Sequence, residues 1–170
     1  MKCFIVVVLV VAVATVLSAG SPGEGTKSTP QFDKLKTLAG TWKGKDSEGK
    51  PITISYKLVS SGSALMEELT MEEHPDAMIT MYHLNGTKLM LTHYCSMGNQ
   101  PRMRVEKASK DGSTLTFSYV DATNLSSPKD PHMSGLVVRF KDDDHFSQQW
   151  IMSMNGKKKQ HETFDFERVK

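Results

Sequence analysis

The sequence predicts an all-β protein, an antiparallel up-and-down barrel of about ten strands with a short N-terminal helix. Three observations predict it. From residue 40 onward, apolar and polar side chains alternate in short runs, the period of a strand with one buried face. Turn-forming residues separate those runs at intervals of roughly 8–12 residues, the spacing of a barrel or sandwich. The one helical period lies ahead of them, so nothing is left to form a helical layer.

The helix falls in residues 30–38, PQFDKLKTL, where Phe32, Leu35 and Leu38 recur every third position and make one apolar stripe. Strands are expected at 40–46, 51–59, 63–72, 77–84, 87–96, 101–108, 113–120, 134–141, 144–153 and 159–169. Between them, Gly49, Gly62, Gly86, Gly112 and Gly156 sit where a turn needs positive φ. Residues 121–132 hold two prolines and no period, and read as a loop on the barrel rim. Lys157, Lys158 and Lys159 follow Asn155-Gly156 and read as a hairpin tip.

The N-terminus has a different composition. Lys2 is followed by an apolar run over residues 3–17 and then by Ser18, Ala19 and Gly20. A basic start, an apolar run of about 15 residues and a small-residue exit form a secretory signal. The run is short of the roughly 20 residues that a spanning helix needs. Residues 1–20 are thus expected to be a cleaved signal peptide, 21–30 a flexible leader and 31–170 the barrel domain, secreted or periplasmic with no membrane anchor after cleavage. Ser21 stands where a lipid-anchored signal would need Cys. Of the two cysteines only Cys95 survives cleavage, so no internal disulfide is available. Without Lys2, 21 basic residues become 20 against 19 acidic. That balance gives no electrostatic footprint for nucleic acid, and a monomer is expected.

Leu38-Ala39-Gly40-Thr41-Trp42-Lys43-Gly44 joins the helix to the first strand. It resembles the Gly-x-Trp signature of the calycin superfamily, which includes lipocalins, fatty-acid-binding proteins and nitrobindins. The resemblance implies a ligand-binding barrel in which Gly40 allows the tight entry and Trp42 plugs one end. It also implies that a basic residue on the last strand, Arg168, packs on that tryptophan. The chain further resembles uncharacterised secreted bacterial proteins of this shape. Nitrobindins hold haem through a histidine near the C-terminus, which makes His161 the alternative, haem-binding candidate. The glycines of their N-terminal signature are missing from residues 45–51.

The expected function is binding of a small apolar or amphipathic molecule inside the barrel, with no cofactor required. The cavity candidates are Met66, Met81, Leu91, His93, Cys95, Met103, Tyr119, Arg139, Trp150 and Met152. His93, Cys95 and Met97 share a strand face. They span about 13 Å along the strand, too far for one metal ion, and no metal site is expected. Side chains two apart on a strand run parallel, so His93 and Cys95 do not form a nucleophile–base pair. With no Gly-x-Ser-x-Gly elbow, no enzyme is expected. Glu67 and Glu68 cannot both face outward on a regular strand, which leaves one for the interior. Arg102, Arg104 and Arg139 are the candidates for holding a ligand carboxylate. A structural domain with a filled core is the remaining alternative. Edman sequencing of the exported chain is expected to start at Ser21 or Gly20; a start at Met1 would remove the cleaved signal.

Overall fold

In the computed structural model, residues 28–72 and 74–170 are described; the apolar N-terminal run lies outside them. The elements are α1 (Pro30–Lys36), β1 (Gly40–Lys45), β2 (Pro51–Val59), β3 (Ala64–Met71), β4 (His74–Asn85), β5 (Lys88–Tyr94), β6 (Gln100–Ala108), β7 (Thr114–Thr123), β8 (His132–Phe140), β9 (His145–Met154) and β10 (Lys157–Arg168). Each strand pairs antiparallel with its sequence neighbour, and β1 pairs with β10 to close the barrel. No helix among the described residues is long and apolar enough to cross a membrane.

The expected strands all form, with shifted ends. β7 runs on to Thr123 because Arg102 and Asp121 face each other across β6 and β7, the guanidinium Nε donating to the carboxylate at 2.6 Å. The expected loop therefore shrinks to residues 124–131. β10 starts at Lys157, so the lysine run is part of the strand rather than a hairpin tip. The turn before it is made by Asn155 and Gly156 alone, at φ 53° and 73°, the paired positive values of a two-residue hairpin.

Alternation divides the strands into two faces. Ile52, Ile54 and Tyr56 on β2, Leu65, Glu67 and Leu69 on β3, and Leu89, Leu91 and His93 on β5 are all buried, and the residues between them face outward. On β10, Phe164 and Phe166 take the inward face.

One end is closed by α1. Thr29 caps the helix, its hydroxyl accepting from the Phe32 N–H, and Pro30 occupies its first turn, where no N–H is needed. Phe32 and Leu35 are fully buried. Below them Trp42 is 1% exposed, and its indole N–H donates to the Leu38 carbonyl at 2.7 Å. The Arg168 guanidinium lies 4.0 Å from the centre of the Trp42 ring. It also donates to the carbonyls of Thr37, Ala39 and Asp143 at 2.8–3.0 Å. Gly40 sits at φ +123°, and a Cβ there would stand 3.2 Å from Arg168 Nη1. Gly44 is equally constrained, since a Cβ would meet the Asp165 carbonyl at 2.5 Å.

Arg168 ties helix exit, first strand and last strand together, so Arg168→Ala is expected to lower unfolding stability by about 2 kcal/mol. Arg168→Lys should recover less than half of that loss in urea titrations, because one ammonium cannot reach three divergent carbonyls.

Candidate functional site

The interior is polar at its centre. Glu67 of β3 is 1% exposed. Its Oε2 accepts from the Tyr82 hydroxyl at 2.7 Å and from Gln148 Nε2 at 2.8 Å. The hydroxyls of Tyr56 and Thr80 lie close to the same carboxyl group and favour its charged form. Gln148 Nε2 donates as well to the Tyr56 hydroxyl oxygen at 2.8 Å, which leaves the Tyr56 proton free for Glu67. The Trp150 indole donates to Gln148 Oε1 at 3.1 Å. Both of the Glu67 bonds to Tyr82 and Gln148 fall on Oε2.

Burial pushes the Glu67 pKa upward and these hydrogen bonds pull it back. Tyr56 and Tyr82 are held well above the usual tyrosine range, by burial first and by the Glu67 charge second.

The network continues to His93. Its Nδ1 lies 3.0 Å from the Thr80 hydroxyl. Either atom donates, according to the ring tautomer. The other ring nitrogen, Nε2, is buried and has no partner. The ring packs on Trp150 at 4.7 Å between centroids, and burial lowers its pKa to about 4.

Several of these contacts reach across the barrel. His93 on β5 touches Trp150 on β9, Tyr82 on β4 packs edge-on against Phe117 on β7, and Gln148 on β9 reaches Glu67 on β3. The middle of the barrel is therefore packed rather than a methionine-lined lumen. Met66 and Met81 pair with each other on the outer face, because Leu65, Glu67 and Leu69 take the inner one. Arg139 is exposed, its Nη2 donating to Gln149, since Val138 and Phe140 point inward. Arg102 and Arg104 are exposed too. No expected arginine faces the interior. Leu91 and Met103 are inward and fully buried.

The remaining candidates gather at the end opposite α1. Cys95 is 8% exposed and burial raises its thiol pKa. Met152, with Met71 and Met78, is only partly buried against the core. Here the wall also parts. β7 and β8 pair only over residues 114–118 and 135–139, although β7 continues to Thr123 and β8 begins at His132. Between the parted ends the Tyr119 ring packs against His132, tilted by 40° at 4.8 Å between centroids. The 124–131 loop spans the same end. Asn99 Nδ2 donates to the Pro131 carbonyl and the Asn155 N–H to the Lys129 carbonyl, both at 3.0 Å. His161 is the residue skipped by the register of β9 and β10 between Gln160 and Glu162; its side chain lies outside the described residues.

Sequence reasoning singled out His93 and Trp150 and offered Glu67 as one of two choices. It missed Tyr56, Thr80, Tyr82 and Gln148. Tyr56 carries a usable signal, as it continues the Ile52, Ile54 parity; Gln148, flanked by Ser147 and Gln149, carries none. A cleft of about 630 Å³ runs outside the barrel along β1 and β10, but its Lys141 is already paired with Asp165 at 2.7 Å.

The lowered His93 pKa makes a pH prediction. The stability that its neutral form contributes is complete above the unfolded value of 6.5 and lost as pH falls towards 4, a difference of roughly 3 kcal/mol. Glu67, with a raised pKa, acts in the opposite sense. Urea unfolding at pH 7 and pH 4 should therefore show a larger acid loss in the wild type than in His93→Gln; equal losses would mean that His93 is not held neutral by burial.

No protein-family model matches the chain, and no curated protein matches it. Among solved structures, the fold is similar to a DUF3598-family protein of unknown function from Nostoc punctiforme, with a TM-score of 0.52 and 13% identity. The match covers 79% of this chain and 49% of that one, so the chain spans about half the length of that neighbour. The likeness is one of fold: a closed ten-stranded antiparallel barrel with a short helix at one end.

Proposed function

We propose that this is an exported, calycin-like barrel that binds one small, largely apolar molecule at the end opposite α1. The observation that carries the reading is the Nε2 atom of His93, buried and without a partner. A buried polar atom left without a partner costs roughly 1–3 kcal/mol, and natural cores retain few of them. Its neighbours suit a ligand, since a mostly apolar pocket with a few fixed polar groups is the usual form of such sites. Cys95 and the methionines supply soft apolar walls, and the parted β7 and β8 supply a route past Tyr119 and His132. The calycin assignment rests on Gly40, Trp42 and Arg168, whose contacts are those that the resemblance implies. Export rests on the apolar segment that follows Lys2.

A second reading has its own support. The contacts that span the barrel, with the buried Glu67 held by Tyr82 and Gln148, suit a structural domain with a filled core. Native mass spectrometry of the protein purified from its secreting host separates the two. An added mass of a few hundred daltons that disappears on denaturation supports the binding protein. A bare chain that also fails to shift its melting temperature with any of a panel of apolar probes supports the filled core.

A further inference from the structure

We infer that the end of the barrel opposite α1 docks on an anionic lipid surface, through side chains alone and without an inserted segment. The inference goes beyond the ligand reading above and stands or falls without it.

Six large apolar side chains are exposed among the described residues, and four of them gather at this end. Tyr94 closes β5, Met97 sits in the β5–β6 turn, Val120 lies on the parted stretch of β7, and Met154 ends β9. Each is between 41% and 50% exposed. The segments that carry them are stitched into one rim. Asn99, two residues past Met97, donates to the Pro131 carbonyl, and the N–H of Asn155, next to Met154, donates to the Lys129 carbonyl. The 124–131 loop held between them adds exposed Pro128 and Pro131. Apolar side chains scattered singly need no explanation, but a clustered apolar rim marks a surface that meets something.

The charge of the rim names the occupant. Lys129, Lys157, Lys158 and Lys159 are all exposed on it. Lys158 lies near Glu106, but Lys129, Lys157 and Lys159 form no ion pair with a described residue. At the α1 end, by contrast, Lys36 pairs with Asp33 and Lys170 with Asp144. Two acids on the rim segments are already engaged, Asp121 by Arg102 and Asp130 by the Ser127 N–H. The whole chain has a formal charge of only +2, so the field is local and acts over about 10 Å. Apolar groups on turn tips enter a headgroup layer, and the ammonium groups around them meet its phosphates. The same charges disfavour a second copy of the chain, because a two-fold contact would set the lysine rim against itself.

The test is co-sedimentation of the exported chain with vesicles of phosphatidylcholine, alone or with about one third phosphatidylglycerol. Binding to the anionic vesicles is expected to be at least about tenfold tighter, and largely lost in about 0.5 M NaCl. A Lys129→Ala, Lys157→Ala, Lys159→Ala variant should lose about a hundredfold, or about fivefold for each charge. Met97→Ser with Met154→Ser should lose about tenfold at unchanged charge. All five side chains are exposed, so both variants should keep the wild-type melting temperature.

Equal binding to the two vesicle types, binding untouched by either variant, or no binding at all overturns the inference. So does dimerisation in sedimentation velocity that the methionine pair abolishes, which makes a second copy the occupant. Titration of the same chain with apolar probes decides the ligand reading separately, whatever the vesicles show.

Discussion

A carboxylate that is 1% exposed cannot be held in a protein interior by packing alone, and most of the centre of this barrel is arranged around that constraint. Moving an isolated carboxylate out of water costs far more than one domain can spare, so Glu67 demands donors. They come from β4 and β9, strands on different parts of the wall. The demand therefore acts as a tie across the barrel: each donor satisfies the charge only if its strand is in register. It also sets directions. Hydroxyls rotate freely until something fixes them, and Glu67 fixes that of Tyr82.

The second tie closes the barrel rather than filling it. The hydrogen-bond ladder of β1 and β10 joins the two ends of the domain, and Arg168 adds side-chain contacts to carbonyls on both sides of the seam. Trp42 lies beneath it with its own N–H satisfied. A closed barrel has no free edge, and the parting of β7 and β8 is therefore a local departure from closure. Packed rings and a tethered loop cover the unpaired backbone there. The two ties act at different levels, the Arg168 tie at the α1 end and the Glu67 tie mid-barrel, and the far end depends on neither.

Much of the architecture was legible because turn chemistry and strand period are local signals. Asn155-Gly156 marks its hairpin without reference to the rest of the chain. The Gly40, Trp42 and Arg168 cluster was legible through its resemblance to a known barrel signature, although its two halves lie far apart in sequence. Strand facing was harder. Leu65-Met66-Glu67-Glu68-Leu69 offers methionine on one parity and leucines with a glutamate on the other. Putting Met66 inside avoids burying a charge, but it exposes Leu65 and Leu69. The leucines prevail because donors for Glu67 exist, one on β4 and one 81 residues away on β9. No local pattern announces such partners. Arg139 failed differently. Its neighbours Val138 and Phe140 already placed it outward, and the wish for an internal cation overrode a readable alternation.

The contrast between the two ends of the network bears on function. The Glu67 Oε2 atom holds two donors, whereas Nε2 of His93 has no partner. If the cluster served stability alone, the cheapest change would be to replace His93 by an apolar side chain. The imidazole contributes one hydrogen bond of about 1 kcal/mol, to Thr80, and carries an unpartnered buried nitrogen that costs at least as much. Its acid sensitivity is a further cost. Selection for stability gives no reason to keep such a group, and selection for recognition does. A buried nitrogen that nothing among the described residues uses, with an aromatic face beside it, is preorganised for a partner from outside the chain.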